Sequence, residues 1–233
     1  MIAIALAAAA ALLHLATVAR YGYFRDELYF IACSKHLAWG YVDQPPLVAL
    51  AAWLASPAGY GLAALRALPV AAAILTTYLA VQLARELGGG RFAQIVAGAA
   101  TLLAPAYLLL GNTLTTTSFE PLSWTLAIYA CIRIVRGARL GLWALLGVIV
   151  AFGAYGKYSI ALLAIAVAVG LITTPQRTVL VPLRGPLLSA AVALLLLAPN
   201  LGWQVAPGWP IVEVLRGDAA HRPGLQNGLA LES

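Results

Sequence analysis

An all-α polytopic membrane bundle of about seven spans is the fold the sequence predicts, and three features predict it. Hydrophobic residues make up 63% of the 233-residue chain and charged residues only 9%, a balance far from that of a soluble domain. Seven apolar stretches, 2–19, 67–84, 92–111, 121–132, 140–156, 158–174 and 186–203, approach the roughly 20 residues a helix needs to cross about 30 Å of hydrocarbon. Arginines gather in alternate connections between them, the pattern that fixes orientation during insertion. The whole chain, 1–233, reads as one domain of this kind.

The first stretch, 2–19, lacks the basic flank of a secretory signal and exceeds a signal core, so it reads as a retained span. The fourth is short unless it begins near Leu114, which would take Glu120 slightly below the surface. Only Lys157 separates the fifth from the sixth, as in a tight hairpin or one broken helix. Arg85 and Arg91 follow the second stretch, Arg133, Arg136 and Arg139 the fourth, and Arg177 and Arg184 the sixth, with Glu86 the only acid among them. Those loops are expected in the cytoplasm together with the N-terminus, in a plasma (inner) membrane. Segments 21–66 and 112–117, Lys157 and the tail after Trp203 then face outward, and every acid but Glu86 lies on or near that face. The net charge of +6 therefore points to orientation and anionic headgroups, with no nucleic acid needed.

Segment 21–66 is too long to be a simple connector. Leu28, Ile31 and Ala32 at helical spacing, with Tyr29, Phe30 and Trp39 suited to the interface, predict a surface helix over 26–39 that ends at Gly40. An extended turn follows, because Pro45 forces Gln44 out of helical geometry and Pro46 can open the next helix. This turn fixes Asp43 near the water boundary. The apolar run 46–55 is about half a span long and reads as an interfacial or re-entrant helix.

Arg25, Asp26 and Glu27 arrive directly after a span whose one ionisable group is His14. Charges beside a bilayer are costly to desolvate and are seldom kept for packing, so the acidic pair is a candidate site for chemistry on a lipid-linked substrate. The bland alternative is two solvated acids flanking a span. His14 reads as a polar group packed between helices. His36 and His221 stand apart from any second ligand, and Cys33 and Cys131 show no metal spacing, so no structural metal is expected. Gly88 to Gly90 follow no strand and precede no phosphate-loop lysine, which mildly favours a lipid-linked donor over a nucleotide sugar. A transporter would place charges near the midplane of two related halves, and neither feature is seen. A non-catalytic membrane scaffold is the other class left open.

The run YGYFRDELYFIACSKHLAWGYVDQPPLVAL resembles the first extracytoplasmic loop of the polytopic GT-C glycosyltransferases, in the group of protein O-mannosyltransferases and the lipid A aminoarabinose transferase. LRALPVAAAILTTYLAVQLAREL, GNTLTTTSFEPLSWTLAIYACIRI, GAYGKYSIALL, LAPNLGWQ and GWPIVEVLR follow in the same order. The resemblance spans nearly the whole chain and corresponds to the N-terminal half of such enzymes. It implies a sugar donor on a polyprenyl phosphate, used on the outer face with inversion, and an acceptor that is a protein, a lipid or a glycan. Asp26 matches the acidic position after the first span and would be the base, while Glu27 would orient the acceptor or a basic neighbour. Glu120 would add a second carboxylate contact, though as the acid before Pro121 it reads equally as a helix N-terminal residue. Lys157 would meet the donor phosphate as a point charge, or else snorkel to headgroups. Arg25 and Lys35 are alternative phosphate partners, Arg66 anchors the start of the second span, and Asp43, Pro45 and Pro46 shape the loop. No cofactor is implied, and a divalent ion between Asp26 and Glu120 is compatible with the set without being demanded by it.

Overall fold

The computed structural model describes residues 1–137 and 139–217, all of whose regular structure is helical. His221 lies outside the described residues. Each apolar stretch folds as helix: α1 (Ile2–Thr17), α5 (Ala67–Glu86), α6 (Arg91–Leu103) with α7 (Pro105–Gly111), α8 (Glu120–Arg136), α9 (Leu140–Gly156), α10 (Ile160–Thr173) and α11 (Arg184–Val205). Between α1 and α5 lie α2 (Arg25–Ser34), α3 (Leu47–Leu54) and the short α4 (Leu62–Leu65), and α12 (Pro210–Leu215) follows α11. By length and composition α5 and α11 can each cross a membrane alone, and α6 with α7 can do so as one bent span. The helices α1, α9 and α10 are apolar but shorter. These apolar helices mark an integral membrane protein.

Three local departures from the sequence expectation have identifiable causes. The third stretch is bent by 60°, because Pro105 supplies no N–H and holds Ala104 extended at φ −66°, ψ 126°. The surface helix stops at Ser34 rather than running to Trp39. The Tyr41 hydroxyl donates to the carbonyls of Cys33 and His36, both at 3.1 Å, and so satisfies chain that a longer helix would have had to bond. The fourth stretch begins at Glu120, not near Leu114. It still reaches 17 residues by running on to Arg136, and Ser118 holds the preceding turn by accepting from the Thr115 N–H at 2.9 Å and donating to the Thr113 carbonyl at 2.7 Å.

Close helix contacts in the bundle rest on small residues, as expected where lipid offers no hydrophobic drive between helices. Gly98 of α6 leaves room for Leu6 and Val81, Gly111 for His14, and Gly147 of α9 for the Ser189 carbonyl and Val192 of α11. A hydrophobic core joins the 21–66 segment to the spans: Phe30, Val48, Ala52 and Leu65 pack with Leu79, Leu114 and Phe119. The helices alternate in direction, so α1, α7, α9 and α11 finish where α5, α8 and α10 begin. Thr17 bonds Asn112 at that end, and Tyr158 bonds Asn200. At the opposite end Glu86 pairs with Arg136 and lies 3.9 Å from Arg133. One end is thus arginine-rich, and the other carries Asp26, Glu27, Asp43 and Glu120.

Candidate active site

Successive residues of a helix point about 100° apart, so the two acids in the first turn of α2 meet different surroundings. Glu27 faces inward and is fully buried against Arg66, whose side chain is 1% exposed. The Arg66 Nε donates to Glu27 Oε1 at 2.7 Å and a terminal nitrogen donates to Oε2 at 2.8 Å, the bidentate geometry that suits guanidinium to carboxylate. The remaining guanidinium donors reach the carbonyls of Val18 (2.7 Å), Tyr21 (3.2 Å) and Gly22 (2.8 Å). Glu27 also accepts from the backbone N–H groups of Phe24 at 2.8 Å and Leu114 at 3.0 Å. Burial opposes the charge of Glu27, but the Arg66 and backbone hydrogen bonds outweigh it and hold the carboxyl below the ordinary glutamate value. This clamp ties the end of α1, the start of α2, the start of α5 and the turn before α8 to one ion pair.

Asp26 faces outward. Its side chain is 38% exposed and pairs with Arg25, at 3.3 Å, which is itself 91% exposed. One turn along the same face, Tyr29 donates to Asp43 Oδ1 at 2.9 Å. Burial first, and then the Asp43 carboxylate, push the Tyr29 phenol up, so it remains a donor. Asp43 is exposed, whereas Pro45 and Pro46 are buried and lead into α3. The Gln44 carbonyl accepts from the Tyr41 N–H at 2.9 Å and closes the turn. Lys35 is exposed at the C-terminal cap of α2 and joins no ion pair among the described residues.

A separate group forms where α8 begins and α9 ends. Lys157 breaks the α9–α10 helix with an extended backbone at φ −160°, ψ 133°. This geometry sends its Nζ to Glu120 Oε2 at 3.3 Å and to the Thr117 hydroxyl at 3.4 Å. Ser159 donates to the other Glu120 oxygen. Glu120 is largely buried while Lys157 is half exposed, so an incoming anion can reach the ammonium. Glu120 and Thr117 line a cleft of about 410 Å³ together with Tyr107, Pro121, Trp124 and Thr125. Trp124 lines it, and its Nε1–H is buried without a hydrogen-bond partner. Beside the loop lies an apolar groove of about 360 Å³ between Trp39, Leu47, Leu50, Phe152 and Tyr155.

The structure thus brings Asp26 together with Arg25, and Glu120 with Lys157, while no hydrogen bond or ion pair joins the two groups directly. They are coupled through Glu27, which holds the turn that leads to Glu120. Among the described residues no three His, Cys, Asp or Glu side chains gather as a metal site. Sequence reasoning missed the role of Arg66 as the partner of Glu27, and also Ser159. The signal for Arg66 was chemical: an arginine directly before an apolar helix must find a carboxylate if it is buried.

The family model described as dolichyl-phosphate-mannose-protein mannosyltransferase matches residues 43–203. The matched stretch contains Asp43, Glu120 and Lys157 and begins after Asp26 and Glu27. No curated protein and no solved structure matches the chain.

Proposed function

Because this chain belongs to the dolichyl-phosphate-mannose-protein mannosyltransferase family, we propose that it moves a sugar from a polyprenyl-phosphate donor onto an acceptor hydroxyl at the acidic end of its bundle. It is a membrane glycosyltransferase of the GT-C type. The observation that carries the finer reading is the contrast within α2: of two adjacent carboxylates, Glu27 is consumed by Arg66 and Asp26 stays open to an incoming group. Paired acids in unlike environments are how one site divides structural and chemical work.

In this reading the acceptor oxygen attacks the anomeric carbon from the face opposite the phosphate, and Asp26 takes the acceptor proton. The bond between that carbon and the phosphate oxygen breaks, its electron pair leaves with the phosphate, and the anomeric configuration inverts. Lys157 meets the phosphate charge, its ammonium held in place by Glu120, which Ser159 fixes in turn. Arg25, exposed beside Asp26, and Lys35 add positive charge to the approach. The cleft headed by Glu120 offers the Thr117 hydroxyl to an oxygen-rich ligand and the Trp124 ring as a wall. Retention of the arginine loops in the cytoplasm would set this end outside the cell membrane. Glu27 contributes through position alone.

The test is transfer from a radiolabelled polyprenyl-phosphate sugar by the purified protein in lipid. Asp26→Asn is expected to lower turnover by at least about 10²-fold while insertion and yield stay normal. Undiminished turnover in that variant would remove Asp26 as the base.

A further inference from the structure

At the end of α11 two buried polar side chains meet Tyr158, and one of them, Asn200, also reaches across to the loop that follows α2. Asn200 and Gln204 are each 1% exposed and lie one turn apart on the same face. Asn200 Nδ2 donates to the Trp39 carbonyl at 2.6 Å, and its Oδ1 accepts from the Tyr158 hydroxyl at 2.9 Å. The amide orientation is fixed by chemistry, since a carbonyl oxygen can only accept and the atom facing it must be the nitrogen. Gln204 Nε2 donates to the same Tyr158 hydroxyl at 3.2 Å. Next to Trp39, the ring of Trp203 covers Gly40 so closely that an added Cβ would lie 2.5 Å from Cε3.

Tyr158 stands between Lys157 and Ser159, the two residues that grip Glu120. On the far side, the Trp39–Gly40 segment leads into the turn whose Asp43 is held by Tyr29, and Tyr41 returns to the C-terminal carbonyls of α2. A continuous set of hydrogen bonds and adjacent residues therefore runs from the Glu120 group, through Tyr158 and Asn200, to the C-terminal end of the helix whose first turn carries Asp26. The Glu27–Arg66 clamp holds α2 at its N-terminus, and Asn200 holds the chain just beyond its C-terminus.

We propose that Asn200 is a positioning residue that sets the distance between the Asp26 side and the Lys157 side of the site by tethering Trp39 to Tyr158. The functional part of this inference rests on the transferase reading, whereas the tether itself does not. Loss of the tether frees the loop and the exit of α2 but leaves Lys157 and Glu120 where α8 and α9 put them. The step that needs both sides together should then suffer more than donor binding does.

The experiment uses the full chain in lipid nanodiscs with Asn200→Leu, Tyr158→Phe, both together, and Gly40→Ala, which pushes the loop off Trp203 without deleting a hydrogen bond. Hydrogen exchange across residues 39–44 and the kinetics of sugar transfer are read from the same preparations. Asn200→Leu is expected to speed exchange of the Tyr41 N–H and to cut kcat about tenfold, with the donor KM changed less than about threefold. Adding Tyr158→Phe to it should cost nothing further, because both substitutions break one network, and Gly40→Ala should give the same pattern. Unaltered exchange across 39–44 in Asn200→Leu and Gly40→Ala, or additive losses in the double variant, would overturn the tether. A wild-type chain that transfers no sugar would overturn the transferase reading instead, and the exchange data would still decide whether Asn200 holds the loop.

Discussion

Two neighbouring carboxylates in the first turn of α2 are expected to fail in different ways when they are neutralised. Glu27→Gln leaves the Arg66 guanidinium buried and uncompensated, so it should cost about 3–5 kcal/mol of stability, seen as a lowered thermal midpoint in detergent. Because the folded state holds the Glu27 carboxyl below its ordinary value, the stability from this pair is fully present above the unfolded value of about pH 4.3. It is lost as pH falls through the lower folded value. An acid titration of stability should show that limb in the wild type and lack it in Glu27→Gln; equal acid profiles would contradict the clamp. The acidic pair itself stood out in the sequence as two charges beside a span, but which of its side chains turns inward did not. Helical geometry decides which acid turns inward, and that depended on where α2 begins and on Arg66, which lies 39 residues away.

Among the elements, α9 and α11 depend on a glycine at their crossing. A Cβ on Gly147 would approach the Ser189 carbonyl to 2.5 Å, and backbone cannot give way cheaply. Gly147→Val should therefore destabilise the bundle by about 1–3 kcal/mol through overpacking, measured as heat-induced aggregation. A variant as stable as the wild type would show that the helices can part without cost. Hydrophobic stretches located the helices well because a span must be apolar along its length. Their interruptions were harder to read. Pro105 lies inside an unbroken apolar run, and only the missing N–H and the extended Ala104 turn that run into two helices. The early stop of α2 depends on the Tyr41 hydroxyl reaching back to carbonyls that local pattern leaves unassigned.

Across the molecule, charge is sorted between the two ends, and the placement of arginines and acids between the apolar stretches made that sorting visible. If the arginine-rich end is cytoplasmic, a cysteine at Lys35 in a chain whose Cys33 and Cys131 are replaced by serine should react with an impermeant maleimide in intact cells. A cysteine at Arg177 should react only after permeabilisation. The reverse pattern would invert the orientation and put the acidic end inside. What the sequence left hidden at this scale is how the two groups of that end are held together, since the Leu114 N–H, Arg66 and Asn200 are joined to them only by tertiary contact. The central claim, that the acidic end divides into an open catalytic carboxylate and a buried structural one, is tested most directly by measuring sugar transfer and thermal unfolding side by side for Asp26→Asn and Glu27→Gln. Asp26→Asn is expected to lose transfer at unchanged stability, and Glu27→Gln to lose stability while retaining transfer in proportion to the folded fraction. Full transfer by Asp26→Asn, or a stable Glu27→Gln protein with no transfer, would contradict it.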